Sequence, residues 1–204
     1  AQKGLLLLEL IAEGEACHAA HAATLGKKNA ARGLARDLVA LEEIDFGPPH
    51  PLLGPITLEP TQLQAGTPGK ARNVVPASAT ALLDLRTTPA LASREIVARI
   101  ELAVESRVRV VSDRLLPRET DAGSALIAAA RAVRPQARLY GSATLSDLAF
   151  LAGVPAVKCG PGESERSHTA DEFVNESEIL DGAHFYARLI GAWAESTNGG
   201  GGGG

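Results

Sequence analysis

Hydrophobic and polar positions recur along this chain with two different periods, and the switches between them mark its elements. "GLLLLELIAEGEA", beginning at Gly4, is apolar, short and closed by glycine and charge, which predicts a strand. "NAARGLARDLVALEEI" then places Ala30, Leu34, Leu38, Leu41 and Ile44 at helical spacing, an amphipathic helix with Asn29 as its cap. Pro48, Pro49 and Pro51 break that helix, and "ITLEPTQLQAG" predicts a strand with polar residues interleaved. In "SATALLDLRTTP" the alternation sets Ala79, Ala81, Leu83 and Leu85 on one face of a strand, with Asp84 and Arg86 on the other. "LASREIVARIELAVES" returns to helical spacing through Ile96, Val97, Ile100 and Val104, and "RVRVVSDRLL" closes the series as a strand. The order β-α-β-β-α-β is the split βαβ, ferredoxin-like plan.

The pattern changes near residue 116. "SALIAAARAV" is helical, "RLYGS" a short strand into a turn, and "SDLAFLAG" a helix ended by Gly153. "VPAVKCGPG" is an apolar strand running into a glycine turn, as strands of parallel sheets do before functional loops. "NESEILDGAHFYARLIGAWA" is a last helix, with Asn175 and Glu178 as a capping pair and Ile179, Ala183, Tyr186, Ile190 and Trp193 as its apolar stripe. This second segment predicts part of an α/β domain rather than a whole one.

Composition narrows the class. The chain has 204 residues, 45% hydrophobic and 22% charged, ordinary globular values for one or two domains. A net charge of −4 without a dense Lys/Arg run leaves no footprint for nucleic acid or an anionic membrane surface. No apolar run approaches the ~18 residues of a membrane span. Cys17 and Cys159 stand outside any CxxC spacing, so a cytoplasmic protein with two small buried cysteines is expected. The sequence has no methionine, which predicts the C-terminal part of something longer, and residues 197–204 predict a flexible glycine tail.

Three stretches carry candidate chemistry. His18 and His21 in "EACHAAHA" lie three apart, a spacing found in metal sites, but no acid or cysteine sits at a fitting distance. A solvent-facing pair at a strand–helix junction is the alternative. Arg86 in "DLRTTP" either pairs with Asp84 along one strand face or grips a substrate carboxylate through two parallel hydrogen bonds. "KARNVVP", with Asn73, reads as a loop. For His168 in "GPGESERSHTADEF" three readings stand: a Ser–His–Asp set with Ser164 or Ser167 and Asp171, a helical turn begun by Thr169 and Glu172, and a metal ligand.

Taken in order, "KGLLLLELIAEGEACHAAHA", "ARNVVPASATALLDLRTTP" and "SDLAFLAGVPAVKCGPGESERSHTADEFV" resemble the dinuclear-zinc aminoacylase and carboxypeptidase family. Its members include acetylornithine deacetylase, succinyl-diaminopimelate desuccinylase and glutamate carboxypeptidase. The resemblance implies a ferredoxin-like lid over residues 5–113, through which two copies pair, and the returning C-terminal part of an α/β zinc-hydrolase domain over 114–196. It implies that His168 is a zinc ligand, and that His18 reaches the partner subunit's active site and polarises the scissile carbonyl. It further implies that Asn73 and Arg86 bind the substrate backbone and carboxylate, and that Ser146 and Asp147 in "ATLSD" border the substrate. Two zinc ions per complete site are implied, with cobalt an alternative, neither held tightly by these residues alone. The family's His-x-Asp motif, its Glu–Glu pair with the general base and a further acid precede the lid, and nothing here takes their place. The implied activity is removal of an acyl group from an N-acyl amino acid, as acetylornithine deacetylase does, with this chain inactive by itself. A non-catalytic dimerisation or small-ligand-binding module is the competing reading.

Overall fold

The computed structural model describes residues 1–66, 72–167 and 169–198. The chain divides into two compact units, Ala1–Arg118 with Gly141–Phe150, and Glu119–Tyr140 with the chain from Leu151 on.

In the first unit β1 (Gly4–Glu13), β2 (Thr57–Ala65), β3 (Ser78–Thr87) and β4 (Arg107–Leu115) form one sheet. Its order is β2-β3-β1-β4, and every neighbouring pair is antiparallel. Helix α1 (Ala30–Leu41) joins β1 to β2, and α2 (Ser93–Ala103) joins β3 to β4. This is the split βαβ plan that the periodicity predicts. The register sets Leu6 against Leu85, Leu8 against Leu83 and Leu10 against Ala81. With Ala30, Leu34 and Leu41 of α1 and Ile96 and Ile100 of α2 they make one buried cluster. Each fully buried leucine contributes roughly 1.5–3 kcal/mol, and a one-residue slip of β1 would turn its whole set to the other face. Pro60 is accommodated because β2 is an edge strand and its ladder shifts register between Pro60 and Gln62. A buried carboxylate ties α1 to the turn between α2 and β4: Asp37 accepts from Glu105 N at 3.0 Å, from Ser106 N at 2.9 Å and from the Ser106 hydroxyl.

The second unit departs from the sequence expectations. It packs α3 (Ala125–Val133), capped by Ser124, against α4 (Glu176–Asn198). Neither "RLYGS" nor "VPAVKCGPG" forms a strand. A strand needs a neighbour to complete its ladder; instead, the Thr120 hydroxyl accepts from Ala156 N at 3.1 Å and donates to the Ala156 carbonyl. "SDLAFLAG" yields only a short 3-10 turn, Asp147–Phe150, which belongs to the first unit. The α4 stripe is misassigned as well, since Ile179 and Ile190 are 49% and 69% exposed while Leu189 is buried. The neighbouring line of Asp181, Phe185 and Leu189 takes the packing: Arg134, at the end of α3, bonds Asp181 at 2.5 Å and lies 5.1 Å over the Phe185 ring. Cys159 is exposed and Cys17 half-buried, both as free thiols, against the expectation of two buried cysteines. Among the described residues no helix is long and apolar enough to cross a membrane.

Candidate functional site: two ends of one sheet

The antiparallel pairing of β1 with β3 does not stop at Glu13 and Ser78. Gly14 N donates to Ala77 O at 2.8 Å, Val75 N to Cys17 O at 2.9 Å, and Ala19 N to Asn73 O at 2.8 Å. His18 and Val74 form an isolated antiparallel bridge within this extension. The ladder therefore brings together two side chains 55 positions apart, with the His18 ring nitrogen Nε2 2.9 Å from the Asn73 amide nitrogen. Gly14 makes the extension possible: a Cβ there would sit 2.6 Å from Ala30 N and 2.7 Å from Lys28 O. His18 also caps the 3-10 turn Ala19–His21, accepting from Ala20 N at Nδ1 over 3.2 Å. The His21 ring lies 5.6 Å away, and both histidines are exposed, so the pair faces solvent as the second sequence reading holds.

The other expected site residues of this unit lie at the opposite end. Arg86 is opposite Leu5 on β1 and Thr57 on β2, near the last residue of β3. From Ser78 to Arg86 the strand spans roughly 26 Å at about 3.3 Å per residue. Arg86 donates from Nε and Nη2 to the two Asp84 oxygens at 2.8 and 3.1 Å, the along-strand pair that the sequence offers as one alternative. Buried Lys3 donates from Nζ to Pro55 O at 2.7 Å. Desolvation first, and then the Arg86 charge, hold its ammonium pKa below the ordinary lysine value. Ser146 donates from Oγ to Gln2 Oε1 at 2.5 Å and accepts from Leu148 N at 3.3 Å, so its hydroxyl starts the turn that carries exposed Asp147. The structure thus unites His18 with Asn73. Arg86, opposite Leu5, and the Ser146 turn, bonded to Gln2, both lie toward the other end of β1 without a hydrogen bond between them, and the two sets do not meet.

His168 lies outside the described residues. On its two sides Thr169 Oγ1 donates to Arg166 O at 2.8 Å, and Arg166 forms a double ion pair with Glu178 at 2.8 and 2.9 Å. The Arg166 guanidinium also stacks 4.7 Å over Phe173. The Arg166 hydrogen bonds, with that from the Asn175 backbone N–H, pull the Glu178 carboxyl down to about 2. No helix begins at Thr169, so the capping-turn reading of that stretch is not realised. Among the described residues no group of three or more His, Cys, Asp or Glu side chains is placed to hold a metal. Sequence reasoning finds Glu178 through its capping spacing to Asn175. It misses Arg166 and fully buried Gln2, because nothing local marks either as a partner.

A family model described as the peptidase dimerisation domain (M20) matches residues 1–111. Among solved structures, the aminopeptidase PepT from Bacillus cereus superposes with a TM-score of 0.68 at 18% identity, over 95% of this chain and 52% of its own. A tripeptidase from Staphylococcus aureus gives 0.65 at 16%, covering 95% and 52%, respectively. The M20 family metallo-carboxypeptidase Sso-CP2 from Sulfolobus solfataricus gives 0.62 at 15%, covering 94% and 58%. The chain spans about half the length of these structures, and at such identities the likeness is one of fold. No curated protein matches it.

Proposed function

The chain belongs to the peptidase dimerisation domain family, and from that premise we propose that it supplies the lid and the returning C-terminal segment of a zinc-dependent amidohydrolase. The reaction is removal of the acyl group from an N-acyl amino acid of the acetylornithine type, in the cytoplasm, and this chain alone is inactive. On this reading residues 5–113 are the lid, 114–196 the returning segment, and two copies pair through the lid. The supporting observation is that His18 is pinned beside Asn73 at the sheet end away from Arg86. Across roughly 26 Å of strand no single substrate meets both. In a pair of copies, His18 and Asn73 of one meet the substrate held at the Arg86 end of the other.

In that arrangement His18 donates to the acyl carbonyl oxygen and stabilises the charge that develops on it. With Nε and Nη2 held by Asp84, Arg86 keeps Nη1 for the substrate carboxylate, and Asp147 borders the substrate beside the Ser146 turn. Zinc, when bound, supplies the activated water. The described residues do not make such a metal site, and we assign this chain one ligand, His168, with the others coming from outside these residues. In the full-length protein His18→Ala is expected to lower kcat by about 10²–10³-fold, the loss of one oxyanion donor, with bound zinc unchanged. Removing His168 should lower bound zinc instead. An unchanged kcat in His18→Ala overturns the trans-acting role.

A non-catalytic dimerisation or ligand-binding module is the second reading, favoured by the self-contained core of the first unit. A full-length protein that sediments as a dimer but cleaves no N-acyl amino acid would select it.

A further inference from the structure

The His18 ring touches two groups, and they cannot both be donors. A neutral imidazole carries one N–H and one acceptor nitrogen, and an imidazolium carries no acceptor. Ala20 N approaches Nδ1 at 3.2 Å, and the Asn73 amide nitrogen is 2.9 Å from Nε2. The Ala20 donor is a backbone N–H, fixed by the turn that His18 caps. The Asn73 amide, by contrast, exchanges its oxygen and nitrogen by a half-turn about its last torsion. The fixed donor decides the tautomer. Nδ1 is the acceptor, the proton sits on Nε2, and the Asn73 amide presents Oδ1 to it.

From this juxtaposition we infer that Asn73, before it is displaced to meet the substrate, positions His18: its Oδ1 holds the Nε2–H that is later donated to a carbonyl oxygen. This rests on the proposed role of His18 toward an acyl carbonyl, and it adds how the donor is kept ready. The ring is held at both nitrogens, by the Ala20 N–H at Nδ1 and by Asn73 at Nε2, and the backbone that carries both residues is fixed by the ladder. An incoming carbonyl oxygen replaces Asn73 Oδ1 as the acceptor of the same proton. No rotation of the ring and no tautomer change is then needed at the moment of binding. A ligand lacking an acceptor oxygen gains nothing at this position.

The test reads the tautomer directly. Long-range proton–nitrogen correlation on the ¹⁵N-labelled chain at about pH 8.5, where an ordinary imidazole is neutral, distinguishes the protonated from the bare ring nitrogen. His18 is expected to show a bare Nδ1 and a protonated Nε2. Buried His50 supplies an internal standard, because its Nδ1 also accepts from a backbone N–H two residues on, Leu52 at 3.2 Å. His21→Gln assigns the neighbouring signal. Asn73→Ala should leave Nδ1 bare, because the Ala20 N–H still fixes the tautomer. It should free the Nε2–H, moving the Nε2 signal and speeding exchange of its proton with water, while the Ala19 and Val75 amides keep their protection from exchange. Asn73→Asp, which keeps an acceptor oxygen, should restore the wild-type pattern. A protonated Nδ1 in the wild type overturns the inference, as does an Asn73→Ala chain whose Nε2 shift and Nε2–H exchange equal those of wild type. Neither result depends on turnover, so an inactive His18→Ala or a fully active one bears on the proposed reaction and not on this assignment.

Discussion

The two units carry apolar residues of the same kinds and use them differently. In the first, leucines of β1 and β3 and isoleucines of α2 are fully buried in one cluster between sheet and helices. In the second, α4 buries Leu189 while Leu180, Ile190 and Tyr186 remain open to solvent, as do Phe173 and Val154 in the preceding loops. The difference follows from hydrogen bonding as much as from hydrophobicity. A strand whose two neighbours are present can bury one whole face, because its backbone groups are already paired. The apolar run around Ala156 has the composition of a strand and forms no ladder among the described residues. The Thr120 hydroxyl serves both backbone groups of Ala156, and the Tyr186 hydroxyl donates to the Cys159 carbonyl at 2.8 Å. The first unit is a two-layer structure around one buried cluster, and in the second the described residues leave an apolar face of α4 open to solvent.

The sharpest way to break that contrast is to truncate one side chain in each unit. Leu83→Ala is expected to cost about 2–5 kcal/mol, the range for a buried leucine that leaves a cavity. Ile190→Ala should stay within about 0.5 kcal/mol. Urea unfolding followed by far-ultraviolet circular dichroism, with Trp193 fluorescence reporting on α4, measures both. An Ile190→Ala cost as large as that of Leu83→Ala would mean that the open face of α4 is covered in solution.

A smaller effect separates the units by the polar groups that hold them. Asp37→Ala leaves the buried Ser106 N–H and hydroxyl, and the Glu105 N–H beside them, without their acceptor, and about 1–3 kcal/mol should be lost from the first unit. A neutral result in the same urea assay would show that water reaches those amides.

Smallest is the pH dependence of the second unit. The Glu178 carboxyl is held at about 2, below its unfolded value near 4.3, by the Arg166 hydrogen bonds and the Asn175 N–H. A depressed carboxylate stabilises the folded state fully above the unfolded value, and that contribution drains away as pH falls from about 4.3 toward 2. Glu178→Gln should flatten the acid limb of the Trp193 signal across that window. An unchanged limb would place the acid sensitivity elsewhere.

The sequence and the structure agree where local pattern and neighbours coincide. The alternation through Leu6, Leu8 and Leu10, and through Ala79, Ala81, Leu83 and Leu85, shows in the sequence which faces of β1 and β3 are buried, because every second residue meets the same helices. Periodicity picks the widest apolar arc of α4, Ile179 to Ile190, yet the helix docks on the adjacent arc of Phe185 and Leu189, a choice made by where α3 lies. The site divides the same way. Asp84 and Arg86 are two apart on one strand face, and their pairing is readable from spacing. The meeting of His18 with Asn73 is set by a ladder register continued beyond the strands, which no local pattern encodes.

That continued ladder also partitions the loop between β1 and α1. Its base is closed twice, by Glu15 N donating to Lys28 O at 2.8 Å and by the Lys27–Glu15 ion pair, and its near side is held by the bonds to Asn73 and Val75. The far side, from Ala22 to Gly26, leans only on its own turn, with Leu25 N bonded to His21 O at 2.9 Å and an unhindered glycine at φ +61. Length can therefore be added or removed around Ala23 and Thr24 without disturbing the neighbouring histidine, since extra residues there lengthen a free arc rather than a fixed strut. The loop has one stretch that tolerates added length and one that does not, and His18 stands on the second.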